Sequence, residues 1–404
     1  MLEDNKAKEI LKVSQPRETF YAIMEWLPEL LLLLVDIAIL MKSGNANSVA
    51  GVSVVGLVIS VFVRKPVQIF FQVIKEQASK FGQDSKVFKD LVSLLPLCCL
   101  VAFATGIPLW LFRYNVQDFL GLPGVGEYLT YGVWSGIIFR CLVVGYIVLS
   151  LRQAKMKHKM VLAWVAATLN YFLSDHLVKK MGVSGVSLGT LLSVIPHFIV
   201  LYWAAQEKVI GYIRKRYVLY CWQMVKINMA GEIPNIGNKI AAIFLNSWLG
   251  PVHGLAWTLL HSIDDVANGL AVVTLNVGKR HATRHHKLGD LAKSNSVWSW
   301  ATKVAVAFSV VFAIAGGVYL GKWYVVLIVP ISLLCKWSFM KLTIPADEDC
   351  YKVAAKVGGW TQGIQAAIYG IIVFVATPGI LLPCIAYVVC KVGAAAVLRY
   401  RNYA

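Results

Sequence analysis

Charge is scarce in this sequence. Of 404 residues only 15% are Asp, Glu, Lys or Arg, and 58% are hydrophobic. A water-soluble protein of this length carries about a quarter charged residues. Acids are the scarcer sign, 21 against 39 bases, which leaves a formal net charge of +18. The apolar runs do not alternate with polar residues, which excludes a transmembrane β-barrel. No Walker motif occurs, so ATP drive within the chain is not indicated. The eight cysteines have no metal-ligand spacing and read as buried thiols rather than a disulfide framework. The first 18 residues lack the apolar stretch and small-residue cleavage site of a signal peptide. The first apolar segment, from about Phe20, therefore reads as an uncleaved span.

What the sequence has in abundance is apolar segments of bilayer length, which needs about 20 residues per helix. Twelve spans are expected, at about 19–41, 48–74, 90–112, 128–151, 160–178, 183–205, 218–248, 252–277, 295–320, 323–340, 355–376 and 378–398. Loop charge supports that count. Assigning loops alternately, with Lys391, Arg399 and Arg401 given to the C-terminal tail, places 27 Lys and Arg inside and five outside. The excess of cytoplasmic bases orients both termini to the cytoplasm. The net charge is thus mostly topology, and a nucleic-acid partner is not expected.

The expected fold is an all-α polytopic membrane protein of about 12 transmembrane helices in two pseudo-symmetric six-helix lobes. Residues 1–18 form a cytoplasmic N-terminal segment, 19–206 the N-lobe, 207–217 a cytoplasmic linker and 218–404 the C-lobe. Shifting the first half by 203 places Glu29 on Glu232, Asp36 on Lys239 and Gly51 on Gly254. Both halves begin inside, so the repeats are parallel.

Seven bases fall at membrane depth: Arg64, Lys65, Arg140, Lys226, Lys239, Lys303 and Lys336. Each costs about 2.5–3.5 kcal/mol centrally against lipid, unless it faces water, pairs with an acid or snorkels. Lys65, Lys226 and Lys303 lie near cytoplasmic ends and read as snorkelling. At about 100° per residue, Glu25, Glu29 and Asp36 share one stripe of the first helix. In the seventh, Asn228, Glu232, Asn235, Lys239 and Asn246 share another, interrupted by Gly231, Pro234 and Gly237. Arg64, Gln68, Gln72 and Lys75 form a row in the second. His261, Asp264, Asp265 and Asn268 form a face in the eighth. Such stripes serve either as interhelical hydrogen-bonding glue or as the wall of a polar cavity. Four stripes on equivalent helices of the two halves favour the cavity, with Arg140 and Lys336 as further candidates.

The segment ELLLLLVDIAILMKSGNANSVAGVSVV and the segment YFLSDHLVKKMGVSGVSLGTLLS, with its Gly-Xaa-Xaa-Gly entry into the sixth helix, resemble the multidrug and toxic compound extrusion (MATE) exporters. These belong to the multidrug/oligosaccharidyl-lipid/polysaccharide flippase superfamily. The likeness covers most of the chain in layout. It implies that Asp36 carries the coupling ion, either H+ or Na+ (a Na+ site at Asp36 being the one metal role open to it), and that Glu232 is the seventh-helix acid. The tenth helix departs from the pattern, having Lys336 and no acid.

The leading expectation is a proton- or sodium-coupled antiporter that exports a small organic substrate, amphiphilic or anionic, by alternating access. Its alternative is a flippase or exporter of a phosphate-bearing anion such as a lipid-linked sugar, pyrophosphate or a citrate-like compound. A membrane-embedded transferase is a third class. His253, His261, His281, His285 and His286, with Asp264-Asp265, are what it would draw on, and the HATRHH run reads as a solvated or headgroup-binding loop. No enzyme activity and no cofactor beyond the coupling ion are expected. The expected partners are a small-molecule substrate and membrane lipid, the expected state is a monomer, and the expected location is a bacterial inner membrane.

Overall fold

In a computed structural model the described residues are 15–79, 90–91, 93–150, 156–196, 214–320, 324–342, 344, 348–376 and 379–401. Among them there are helices and turns and no strand. The first span is α1 (Gln15–Lys42). The second is α2 (Val49–Ile59), a π turn at Ser60–Arg64 and α3 (Lys65–Ser79). Then come α4 (Leu95–Leu111), α5 (Arg113–Leu120), α6 (Val125–Ser150), α7 (Met156–Met181) and α8 (Val183–Ser193). The second half has α9 (Lys215–Lys287), α10 (Leu291–Leu320), α11 (Tyr324–Leu342), α12 (Glu348–Val375) and α13 (Leu381–Arg401). The latter part of the sixth span, the loop at 80–89 and most of the expected linker lie outside the described residues.

The breaks follow from local chemistry. α9 holds the seventh and eighth spans and is interrupted at Gly250, whose φ of 67° and ψ of −174° no helix accepts. Pro251 follows and has no N–H to continue the ladder. The first and second spans are joined at Gly44, φ 81°, so each half opens with the short glycine-bearing turn expected of it. In the second span Pro66 cannot donate to the preceding turn. The helix absorbs that loss in a π turn, with the Lys65 N–H reaching back to the Ser60 carbonyl.

The short helix α5 was not expected; residues 113–127 read as a loop. It turns 64° away from Leu97–Leu111. Arg113 caps the corner, donating to the Trp110 carbonyl at 2.9 Å and lying over the rings of Trp110 and Tyr114. An Arg between two such rings is the composition of a membrane-interface anchor.

Among the described residues, four stretches are long and apolar enough to cross a bilayer unaided: Val49–Phe70, Val161–Met181, Leu291–Val318 and Leu381–Arg399. The α4–α5 pair adds a fifth if it counts as one bent span. Large apolar side chains face outward on these helices, Phe172 at 64% exposure and Val318 at 79%. That placement suits hydrocarbon rather than water as solvent.

The chain groups into two compact units. One comprises Leu32–Leu255 and Ala376–Pro378; the other comprises Met1–Leu31, Ala256–Val375 and Gly379–Ala404. Inside the first, small residues let helices approach closely, as membrane packing requires. A Cβ at Gly51 would stand 2.2 Å from the Pro123 carbonyl oxygen, and one at Gly106 would meet Ile137. Inside the second, Ala271, Leu275, Ala282, Trp298, Ala305, Leu333 and Met340 form a buried cluster. Trp337 Nε1 donates to Thr302 Oγ1 at 2.9 Å, and Thr283 Oγ1 to the Ile344 carbonyl at 2.8 Å. The start of α1 belongs to this unit: Ala22 packs on Val273 and Val277. Glu18 there bonds His281 Nε2 at 2.7 Å and Arg280 at 2.8 Å.

Candidate functional site

Asp36 lies six residues before the end of α1 and is 2% exposed. Three neutral side chains meet its carboxylate. Tyr128 Oη, from α6, donates to Oδ2 at 2.6 Å. Asn170 Nδ2, from α7, donates to Oδ1 at 3.0 Å. The Thr190 hydroxyl, from α8, lies 3.1 Å from Oδ2. Behind them the Ser174 hydroxyl lies 3.0 Å from Asn170 Oδ1 and 3.2 Å from the Val186 carbonyl oxygen, which fixes the Asn170 amide. Among the described residues no ammonium or guanidinium comes within 4.0 Å of Asp36.

The Gly-Xaa-Xaa-Gly entry makes this geometry. Gly182 turns the chain at φ 60°. A Cβ at Gly185 would stand 2.4 Å from the Leu177 carbonyl oxygen, and one at Gly189 would stand 2.2 Å from Ser174 Oγ. Three glycines thus let α8 lie against α7 closely enough for Thr190 and Asn170 to share one carboxylate. At the end of α1, Lys42 Nζ reaches Asp175 Oδ1 at 3.1 Å, and Lys179 takes the other oxygen at 3.1 Å.

Asp36 and Lys239, which the half-to-half alignment places at equivalent positions, do not pair with each other here. Lys239 Nζ donates instead to Ser60 Oγ, the first residue of the π turn. Arg64, at the far end of that turn, is exposed, and Gln68 is half-buried. Lys65 was read as snorkelling, yet it is 7% exposed. The side chains of Glu25, Glu29, Gln72, Arg140, Asn228, Glu232 and Asn235 lie outside the described residues.

A second polar cluster sits within the other unit. Asp264 is 2% exposed. Tyr387 Oη donates to its Oδ2 at 2.8 Å, the Ser332 hydroxyl lies 3.3 Å from the same oxygen, and Asn268 Nδ2 donates to Oδ1. His261, one turn earlier, meets the Tyr387 ring edge-on at 5.2 Å and the Trp257 ring at 4.3 Å. Lys336 and Lys391 stand within electrostatic range of Asp264. Asp265, placed on the same face by helical angle, is exposed instead.

Sequence reasoning missed Tyr128, Asn170, Ser174, Thr190, Ser332 and Tyr387, which are neutral, and Lys391. The i, i+4 pair Asn170–Ser174 in an apolar helix was the available signal. Lys391, assigned to the cytoplasmic tail by the charge count, lies ten residues inside the last helix.

No family model matches the chain, and no curated protein matches it. Solved structures do. One is the inward-facing conformation of a multidrug resistance MATE family transporter of the MOP superfamily. It shares 17% identity over 94% of this chain and 98% of its own, with a TM-score of 0.69. A MATE structure in the bent conformation shares 15% identity over 98% of this chain and 97% of its own, with a TM-score of 0.63. A MOP superfamily transporter from Pyrococcus furiosus, described as having a binding pocket of reversed polarity that suggests a different function, shares 16% identity. That likeness covers 95% of this chain and 93% of the other, with a TM-score of 0.62. The chain has the fold of the MATE transporters, as the layout of its sequence led us to expect.

Proposed function

We propose that the protein is a secondary active exporter rather than an enzyme, driven by a proton or sodium gradient loaded at Asp36. The two six-helix halves, 19–206 and 218–404, alternate access for a small organic substrate across a bacterial inner membrane, with both termini cytoplasmic. The MATE fold supports transport, and the Asp36 cluster carries the coupling. A buried carboxylate surrounded by neutral donors has its hydrogen bonds but, among the described residues, no cation within 4.0 Å. Burying a charge in an apolar setting is expensive, and a proton or a small cation bound at the carboxylate would offset that cost. Loading alters what the carboxylate offers Tyr128, Asn170 and Thr190, which come from three other helices. A ligand that interacts differently with two packings of those helices shifts their populations.

The test is transport in proteoliposomes across a substrate panel, with an imposed proton gradient, an imposed sodium gradient or neither. Wild type is expected to accumulate substrate only with one of the gradients, and Asp36→Asn with neither. Gradient-independent uptake by wild type, or unchanged coupling in Asp36→Asn, would overturn this reading.

A further inference from the structure

The Asp264 cluster contains a charge imbalance that exporter coupling at Asp36 does not use. Lys336 on α11 and Lys391 on α13 are both half-buried at membrane depth, on helices that pack against each other. They are within electrostatic range of one another and of Asp264. Yet among the described residues neither ammonium makes a hydrogen bond or comes within 4.0 Å of a carboxylate. Asp264 instead accepts from Tyr387 and Ser332 at one oxygen and from Asn268 at the other. The Lys391 ammonium instead stands over the Tyr387 ring at 5.2 Å, a weak substitute for a counterion. Two cations thus surround one buried carboxylate, and Asp265, the neighbouring acid, is exposed.

An ammonium without a counterion is costly at membrane depth, and among the described residues this cluster holds two. Hydrophobic residues would be more stable in a purely structural cluster. Trp257, His261, Tyr369 and Tyr387 adjoin in edge-on contacts, and the Lys391 ammonium stands over the last of these rings, so apolar surface as well as Asp264 lies beside the cations. That combination fits an anionic group attached to an apolar body.

We propose that Lys336 and Lys391 form an oxyanion-binding subsite within this unit, taking a carboxylate or phosphate group, with Asp264 kept off the two amines by its own hydrogen bonds. The proposal deepens the exporter reading, since it assigns the substrate's charge and contact residues. The same chemistry fits a soluble organic anion and an anionic lipid headgroup.

The full chain is reconstituted in nanodiscs of zwitterionic lipid, and thermal stability is titrated at constant ionic strength with citrate and with pyrophosphate. In a separate arm the nanodiscs contain graded phosphatidylglycerol. Wild type is expected to show saturable stabilisation in at least one arm. Response to the soluble anions alone identifies a soluble ligand; response to phosphatidylglycerol alone identifies a lipid headgroup. Lys336→Met and Lys391→Met should each weaken the response about tenfold or more, as loss of a charge-assisted contact predicts. Both should keep or raise the ligand-free melting temperature, which shows that they fold. Lys336→Arg should retain binding, and Lys303→Met, which removes an exposed base elsewhere, should leave it unchanged. No saturable response in wild type, or an undiminished response in both Met variants, would overturn the subsite. Because the readout is equilibrium binding, it is separate from coupling. Gradient-driven transport of organic cations without any oxyanion binding would leave the exporter standing and remove this assignment. Oxyanion binding without gradient-driven transport would do the reverse.

Discussion

The Tyr128 hydroxyl donates to Oδ2 of Asp36 at 2.6 Å, 92 residues away in sequence and on a different helix. It is the shortest of the hydrogen bonds with a stated distance at that carboxylate, and its donor is neutral. Tyr128→Phe removes one hydroxyl and leaves the ring that packs on the Gly132 backbone. The expected result is a normally folded protein whose gradient-driven uptake falls about tenfold or more, the scale of losing one hydrogen bond to a charged group. Asp36→Asn should abolish coupling while changing the melting temperature by only a few degrees. If Tyr128→Phe transports at the wild-type rate with the same ion dependence, the hydroxyl only packs the cluster.

The start of α1 offers a pH-dependent stability test that is independent of transport. The His281 ring nitrogen at 2.7 Å holds the Glu18 carboxyl below its ordinary value; burial opposes this, and Arg280 adds to the lowering. A carboxyl depressed in the folded state contributes stability above its unfolded pKa of about 4.3. That contribution fades as pH falls through the lower folded value. Glu18→Gln should therefore lower stability by about 1 kcal/mol near neutral pH and converge with wild type below about pH 4. Melting curves of the two proteins from pH 3.5 to 8 measure this. A gap that persists undiminished at the acid end would show that Glu18 acts through packing rather than charge.

Much of the architecture was legible because the membrane imposes it. Apolar length placed the helices, and the gaps left between the expected spans at 41–48 and 248–252 contain the turns made by Gly44 and Gly250. Asp36 was singled out by the family resemblance and by the stripe it shares with Glu25 and Glu29, and the structure places it buried. What surrounds Asp36 was not. Tyr128, Asn170 and Thr190 cost little in a membrane helix, so their presence carried no warning, and only the packing of α6, α7 and α8 brings them together. Lys391 was counted with the tail although the expected last span, 378–398, already contained it, and the last helix does run ten residues beyond it. The Lys239–Ser60 contact was hidden for another reason. It depends on the π turn that Pro66 imposes, and that shift of register moves side chains off a 100° wheel.

Glycine substitutions in two helices should have opposite effects. Gly189 lies where α8 touches α7: an added Cβ would meet Ser174 Oγ at 2.2 Å and its backbone N at 2.7 Å. The backbone atom cannot rotate away, so Gly189→Ala must push α8 outward and carry Thr190 off Asp36. Overpacking of this kind costs about 1–3 kcal/mol, and the displaced hydroxyl should reduce gradient-driven uptake as well. Gly237, inside the seventh span, has none of the described residues within 4 Å of its notional Cβ. There alanine meets no clash and gains the helix preference that glycine forgoes, about 0.5–1 kcal/mol. Gly237→Ala should therefore raise the melting temperature. The seventh span also carries Pro234, three residues earlier, and glycine beside proline gives a helix freedom to bend. If alternating access uses that bend, Gly237→Ala will be more stable and slower, while Gly189→Ala will be less stable and slower. Melting curves and initial uptake rates on the two variants separate these cases. A Gly237→Ala protein that is both stabilised and fully active would show that the seventh helix does not flex there during transport.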